Sequence, residues 1–220
     1  MSKDFLILKN VYKRYSDDII PINNISISFK MSKFYVIKGA SGAGKSTFLH
    51  VLGLLEKVDE GEIIWCENDI TKLNGDKVSE YRKKKIGFMP QSGLLIPEFT
   101  ALENVMIPIL LNKDIKEAEK SACDLLEKVG VYDRRNHFIK QLSGGEQQRV
   151  AIARAMANNP ECIIADEPTG NLDEENERKI FELFKQYTLS GKCAICVSHS
   201  DKAEEYADEV LRYKKGEIIL

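Results

Sequence analysis

The feature that most constrains this chain is a glycine-rich segment that stands between an apolar strand and a helix. Residues 39–46 read Gly-Ala-Ser-Gly-Ala-Gly-Lys-Ser, which fits the pattern G-x-x-x-x-G-K-[ST]. The glycines allow backbone N–H groups to converge on phosphate oxygens, and the N-terminus of the following helix adds a positive partial charge. We therefore predict a phosphate-binding loop rather than a glycine-rich turn without a ligand.

Individual side chains of this loop have predicted roles. Lys45 is expected to place its charge between the β- and γ-phosphates, and the Ser46 hydroxyl is expected to ligate Mg²⁺. The loop does not determine which nucleotide base is bound. Residues 112–115 read Asn-Lys-Asp-Ile, so they lack the final Asp of the pattern Asn-Lys-x-Asp that is typical of guanine-specific GTPases. The predicted nucleotide-binding residues of this segment are Gly39, Ala40, Ser41, Gly42, Ala43, Gly44, Lys45, Ser46 and Thr47.

Two acidic residues follow another apolar run further along the chain. Residues 162–165 predict a buried strand, and Asp166 and Glu167 come directly after it. The carboxyl edge of a parallel sheet is where α/β proteins bind ligands. Alone, the acidic pair would be a solvated helix start, but the preceding strand and Pro168 favour a site. We predict that Asp166 belongs to the Mg²⁺ site and that Glu167 polarises the attacking water.

A second candidate for anion binding lies at residues 142–149, which read Leu-Ser-Gly-Gly-Glu-Gln-Gln-Arg. A serine and two glycines at a helix start leave backbone N–H groups free to bind an anion. One nucleotide does not need two such sites from one chain. The economical interpretation is that this segment serves a nucleotide held by another copy of the chain.

The order of the predicted elements indicates an α/β protein with a mostly parallel sheet, because strands alternate with helices. Between residues 92 and 142 the sequence is mostly helical, most clearly at 116–129, and this stretch looks inserted into the sheet. The predicted strands are 5–11, 22–29, 33–38, 86–89, 162–165 and 193–197. The predicted helices are 47–57, 145–158, 174–189 and 201–207, with a hairpin around 214–216.

Composition excludes several other classes of protein. The net charge of −2 argues against sequence-independent nucleic-acid binding. The longest apolar run, residues 105–111, is far shorter than the roughly 20 residues of a membrane-spanning helix. The five cysteines have irregular spacing, which is typical of a reducing compartment. Cys193 and Cys196 should point to opposite faces of a strand, so we interpret them as core residues and not as a metal or redox pair.

With these motifs in this order, the chain resembles the ATP-binding-cassette (ABC) ATPases over essentially its whole length. Residues 39–46 look like the Walker A motif, and residues 163–166 followed by Glu167 look like Walker B with its catalytic glutamate. Gln91 looks like the Q-loop glutamine. Residues 142–147 resemble the signature LSGGQ, with Glu146 where glutamine is more usual.

The remaining motifs of this resemblance are shorter. Residues 171–173 resemble the D-loop, and Ser198 with His199 resembles the H-loop. Tyr15 lies where the family has its adenine-stacking aromatic residue, with Tyr12 as the nearby alternative. Ala43 departs from a common serine, which puts no function in doubt because only its backbone is needed there.

The resemblance implies a P-loop NTPase (RecA-like) fold in a single ABC ATPase domain spanning 1–220. Residues 1–91 and 146–220 would form the mostly parallel core with an N-terminal antiparallel β subdomain. Residues 92–145 would form an inserted helical subdomain that carries the signature. Phe99, Leu102 and Val105 are candidates for a groove that docks a partner's membrane-facing loop, and ordinary helical core is the open alternative.

The implied mechanism uses two copies of the chain, packed head to tail around two ATP molecules with Mg²⁺. The residues of the second copy that would touch each ATP are Ser143, Gly144, Gly145 and Glu146. The implied catalytic residues are Lys45, Gln91, Glu167 and His199, where Glu167 activates water and His199 holds the water and γ-phosphate in line. The implied metal ligands are Ser46, Gln91 and Asp166.

The implied function is that of an ATP-hydrolysing motor subunit of a membrane ABC transporter. Residues 168–173 look like the subgroup of lipoprotein-release, macrolide- or peptide-efflux and cell-division cassettes. The chain is expected on the cytoplasmic face of the membrane, bound to a separate permease, exporting or extracting a lipoprotein, antimicrobial peptide or drug. The alternatives are a cell-division ATPase that regulates cell-wall hydrolases through a membrane partner, and a soluble ABC ATPase acting on DNA or ribosomes.

Overall fold

The strands form two sheets, one antiparallel and one mostly parallel. The computed structural model describes residues 4–91, 94–170 and 172–219. Its strands are β1 Asp4–Lys13, β2 Ile22–Lys30, β3 Phe34–Lys38, β4 Glu60–Trp65, β5 Asn68–Asp69, β6 Ile86–Met89, β7 Cys162–Asp166, β8 Cys193–Val197, β9 Glu209–Lys214 and β10 Glu217–Ile219. Its helices are α1 Lys45–Leu52, α2 Gly75–Lys85, α3 Ala101–Leu110, α4 Ile115–Lys128, α5 Gly144–Met156, α6 Glu174–Leu189 and α7 Asp201–Tyr206. Short 3₁₀ turns lie at Ile70–Lys72, Tyr132–Arg134 and Ile139–Gln141.

The larger sheet has the strand order β10-β9-β3-β8-β7-β6. Only β10 is antiparallel to its neighbour among these described strands. Every residue of β7 and β8 is buried, as expected for apolar strands covered on both faces. Because β3, β7 and β8 run in one direction, the segments after Lys38, Asp166 and Val197 meet at one edge of the sheet. The predicted α/β class with a mostly parallel sheet is confirmed.

Two clusters of buried side chains cover the two faces of this sheet. The antiparallel sheet, in the order β2-β1-β4-β5, shares one cluster with α1, in which Leu6, Phe48 and Trp65 are fully buried. Helices α3 to α6 contribute to the other cluster. Cys193 belongs to the first cluster and Cys196 to the second, so the two thiols point to opposite faces. The prediction of core cysteines is confirmed.

The helical stretch between β6 and β7 is shorter than predicted. Helix α4 agrees with the predicted 116–129, but α3 begins only at Ala101. Thr100 and Glu103 form a capping box there: Glu103 N donates to Thr100 Oγ1 at 3.2 Å, and Thr100 N donates to Glu103 Oε2 at 2.8 Å. The groove assignment of Val105 is wrong, because its face of α3 packs into the core and Val105 is fully buried.

Two further differences have local causes. Helix α1 ends at Leu52 and not near Lys57, because Gly53 caps it and Leu54 has a left-handed φ of 55°. Strand β4 and helix α2 are absent from the sequence-based prediction. Helix α2 buries none of its residues and therefore has no apolar period to recognise. Throughout residues 4–91, 94–170 and 172–219, every helix is too short or too polar to cross a bilayer.

Candidate active site

The glycine-rich loop joins β3 to α1, and its path depends on two glycines. A Cβ atom on Gly39 would lie 2.1 Å from the carbonyl oxygen of Tyr213, and one on Gly44 would lie 2.4 Å from that of Pro21. Gly44 also caps α1 at a φ of 103°, which side chains rarely adopt. The loop therefore lies against neighbouring backbone, and its helix begins without a side-chain cap, which leaves backbone N–H groups for an anion.

Lys45 folds back over this loop. Its Nζ donates hydrogen bonds to the carbonyl oxygens of Gly39 and Ala40, both at 2.8 Å, and the residue is only 6% exposed. Ser46 is exposed and Thr47 is half-buried on the same turn of α1. The ammonium group thus lies inside the ring of backbone that is predicted to hold phosphate, and it can exchange these carbonyl oxygens for phosphate oxygens.

The two predicted carboxylates lie at the same edge of the sheet as the loop. Asp166 ends β7 and is 5% exposed, paired in register with Val197 of β8. Glu167 follows at a φ of 49°, held by a 3.0 Å bond from its N–H to the carbonyl oxygen of Val197. A left-handed φ costs a non-glycine residue about 1–2 kcal/mol, and here it turns the Glu167 side chain away from the strand direction.

Two of the other predicted catalytic side chains, those of Gln91 and His199, converge on Glu167. Gln91 Nε2 donates to Glu167 Oε2 at 3.1 Å, and His199 Nε2 lies 3.3 Å from Glu167 Oε1. These residues follow three strands, β6, β7 and β8, which are neighbours in the sheet. Residues far apart in sequence therefore form one cluster. Burial, followed by the charge of Asp166, raises the pKa of the Cys196 thiol, so this neighbour stays neutral.

The second predicted anion site is the N-terminus of α5, capped by Ser143. Glu146 N donates to Ser143 Oγ at 3.2 Å, and Ser143 N donates to Glu146 Oε2 at 2.8 Å. The backbone bond from Ser143, more than the nearby Arg134, lowers the pKa of Glu146. Ser143 and Gly144 are exposed, and Gly145 faces Leu172.

Tyr15 and Tyr12 have different surroundings. Tyr15 is 55% exposed, its hydroxyl donates to Glu56 Oε2 at 2.8 Å, and it lies 3.3 Å from Thr47 Oγ1. The ring of Tyr12 instead lies against the guanidinium of Arg14 at 4.9 Å. Tyr15 is therefore the tyrosine that contacts the helix after the phosphate loop, and its stacking on the base stays a prediction.

A groove of about 610 Å³ lies between α2, β6, α3 and the end of α5, and sequence reasoning missed it. Phe99, Leu102 and Val105 do not line it. Its apolar lining includes the exposed side chains of Leu55, Leu94 and Leu111. The basic lining residues are His50, Arg82, Lys83 and Arg154. The exposed leucine pair at the end of α3, just after Pro108, was the available signal in the sequence.

One predicted motif is only partly visible. Asn171 of the D-loop lies outside the described residues, whereas Asp173 caps α6 by accepting a 2.8 Å bond from Asn176 N. The position of Leu172 against Gly145 joins this segment to the start of α5.

The fold and this site define a P-loop ATPase, and comparison with known proteins places it within one family. Residues 22–170 match the family described as ABC transporter. The chain belongs to this family, as the ATP-binding and ATP-hydrolysing subunit of a membrane transporter. It is 41% identical over 215 residues to the uncharacterized ABC transporter ATP-binding protein MJ1508 of Methanocaldococcus jannaschii, covering 96% of both chains.

Two further comparisons refine the assignment. The chain is 41% identical over 226 residues to the lipoprotein-releasing system ATP-binding protein LolD of Francisella tularensis, covering 100% of this chain and 98% of LolD. The solved dimer of the cassette MJ0796 bound to ADP and Pi has a TM-score of 0.92 and 38% identity, with 98% and 97% of the two chains covered. The predicted resemblance to lipoprotein-release cassettes is confirmed, and the cell-division and soluble alternatives are not favoured.

Proposed function

We propose that this chain hydrolyses ATP with Glu167 as the general base and couples the reaction to a separate membrane permease. The convergence of Gln91 and His199 on the two oxygens of Glu167 carries this proposal. A base must be held in one orientation to accept a proton from an attacking water. Glu167 has such an orientation because its backbone is fixed to β8 and its carboxylate to side chains on either side.

Three predicted side chains of the site suit a magnesium ion. Ser46 supplies a hydroxyl, Asp166 a carboxylate and Gln91 an amide oxygen, and oxygen ligands are those that Mg²⁺ prefers. The amide nitrogen of Gln91 is used by Glu167, which leaves its oxygen for the metal. A bound Mg²⁺ would offset the charge of the β- and γ-phosphates. Lys45, at the centre of the loop, would add a second positive charge.

His199 and Gln91 both contact the proposed base, and each has a second proposed role. His199 would hold the attacking water and the γ-phosphate in line, and Gln91 would report the occupancy of the site to the segment that follows it. Because Gln91 stands just before that segment, we propose that residues 92–145 form a helical subdomain and that residues 1–91 with 146–220 form the core. Movement of Gln91 would then move α3 and α4 relative to the sheet.

The test of the general base is the variant E167Q. Loss of the carboxylate should lower the ATP hydrolysis rate by about a hundredfold or more, while ATP binding is retained. Phosphate release and fluorescent-nucleotide binding measure the two properties separately. The matched control is E175Q, since Glu175 is an exposed residue of α6 paired only with Lys179 among the described ion pairs. Phosphate release by E167Q at the unmodified rate would overturn the assignment.

We further propose that the working unit is a head-to-tail dimer in which Ser143, Gly144, Gly145 and Glu146 of one copy face the nucleotide of the other. The dimeric form of MJ0796 supports this arrangement. An exposed, capped helix start suits a phosphate supplied by a neighbouring copy. The dimer would place two equivalent sites at one interface.

The permease is proposed to dock in the groove between α2, β6 and α3. The groove combines exposed leucines with a basic lining, so a short amphipathic segment at the inner membrane surface would fit it. In this proposal the chain lies on the cytoplasmic face of the membrane and is held there by its partner. Following LolD, the cargo is proposed to be a lipoprotein, with an antimicrobial peptide or drug as the other candidates. Identifying the protein that co-purifies from detergent-solubilised membranes tests this.

A further inference from the structure

The start of helix α5 carries an ion pair for which ATP hydrolysis by a single chain gives no reason. Arg134, in the 3₁₀ turn Tyr132–Arg134, places its Nε 3.0 Å from Glu146 Oε1. The other oxygen of the same carboxylate accepts the backbone N–H of Ser143 at 2.8 Å. Glu146 is thus fixed at the third position of the helix, directly beside the proposed anion site.

This position is unfavourable for a phosphate unless the carboxylate is neutralised. The bond from Ser143 N–H, and then the Arg134 side chain, lower the pKa of Glu146, so it is ionised at neutral pH. A carboxylate in the first turn stabilises a helix, but it is an anion where a second anion must bind. Like charges within several ångströms repel strongly where solvent is excluded, as at a closed interface.

We propose that Arg134 is a positioning residue whose guanidinium masks the charge of Glu146, so that the α5 N-terminus accepts the γ-phosphate of ATP held by a second copy. This inference rests on the proposed dimer. Arg134 is the cation paired with Glu146 among the ion pairs of the described residues. Its side chain is 51% exposed and that of Glu146 is 20% exposed, and such a pair adds little to folding stability. Loss of this pair should therefore weaken the ATP-driven association of two copies and leave folding stability nearly unchanged.

A double-mutant cycle tests the masking. MgATP-driven dimers are measured by light scattering in the E167Q background, where hydrolysis is blocked, as a function of ATP concentration. R134Q keeps a hydrogen-bond donor but removes the charge, and it should raise the ATP concentration for half-maximal dimer formation by about tenfold, which is 1.4 kcal/mol. In the E146Q background the same R134Q change should cost less than about twofold, because no charge remains to be masked.

Two variants separate charge from structure. R134K retains the positive charge and should form dimers at ATP concentrations close to those of the parent. R135Q is the matched control, because the Arg135 guanidinium lies over the Tyr132 ring at 4.3 Å and not on Glu146, and it should behave as the parent does. Thermal unfolding of each variant verifies that the fold is intact.

The proposal is overturned if R134Q leaves dimer formation unchanged. It is equally overturned if R134Q raises the ATP concentration for half-maximal dimer formation by the same factor with and without E146Q, or if R134K is as impaired as R134Q. Either result would mean that Arg134 supports the local structure and does not mask a charge. Absence of ATP-dependent dimers in E167Q alone would contradict the proposed dimer itself, and with it this inference.

Discussion

Single residues at the phosphate loop are constrained mainly by what surrounds their backbone. Gly39 lies against the Tyr213 carbonyl at a distance that no side chain can share, although its φ is not left-handed. The pattern of glycines could be predicted from sequence because the chemistry of phosphate binding demands it. The backbone that forbids a side chain at Gly39 could not be predicted from sequence, because it lies in β9, far along the chain.

We expect the variant G39A to lower the free energy of unfolding by at least about 2 kcal/mol, because a methyl group 2.1 Å from a carbonyl oxygen forces the loop away from β9. The matched control is G75A, at the start of α2, where an added Cβ meets nothing within 4 Å. That change should be neutral or stabilise by up to about 1 kcal/mol. Urea unfolding measures both, and equal effects would contradict the steric argument.

The catalytic side chains were predictable as types and positions but not as a cluster. Asp166 and Glu167 could be assigned because an apolar strand precedes them, whereas the contacts of Gln91 and His199 with Glu167 depend on which strands are neighbours. Sequence also left Tyr15 and Tyr12 as alternatives. The contact of Tyr15 with Thr47 could be seen only in the structure, which brings the segment after β1 next to α1.

Elements were predictable where their ends carry clear signals. Helix α6 and strand β8 match the predicted bounds, and α6 begins directly after Asp173, whose side chain caps it. Helix α2 escaped prediction because it is polar on all sides. The groove escaped prediction for a different reason: its wall comes from separate elements, and the sequence marks it only by the leucine pair at the end of α3.

The end of α3 is the element at which we expect the permease to be recognised. The change L111E places a carboxylate on an exposed apolar residue of the groove, and it should greatly reduce recovery of the membrane partner. Affinity purification of tagged chain from detergent-solubilised membranes, with partner quantification, measures this. The control L189E alters a leucine at the end of α6 that is even more exposed, 78% against 64% for Leu111, and that lies away from the groove. Equal recovery with both variants would move the docking site elsewhere.

For the whole molecule, the central feature is that the chain has two places suited to a phosphate. One is the loop before α1, and the other is the start of α5, which carries its own capping box. Ser143 Oγ accepts from Glu146 N, and the Glu146 carboxylate accepts from Ser143 N and Arg134 Nε, so these bonds do not join α5 to the loop. This arrangement supports a second copy as the source of the phosphate at α5.

The variant S143R should abolish ATP-induced dimers, because a large side chain replaces the hydroxyl at the proposed interface. Binding of ATP to the single chain should be retained, since residues 39–47 are untouched. Light scattering and nucleotide titration measure the two properties. S190R is the control, as Ser190 is an exposed residue beyond α6. Dimers of undiminished stability in S143R would refute the head-to-tail arrangement.

The folded-back Lys45 has a consequence for the phosphate loop itself. A buried ammonium without partners would be costly, but here it donates to two carbonyl oxygens of its own loop. Lys45 therefore braces the loop from within, because its side chain ties the first turn of α1 to the residues that follow β3. Phosphate binding would then exchange two carbonyl oxygens for phosphate oxygens and would not require the loop to refold.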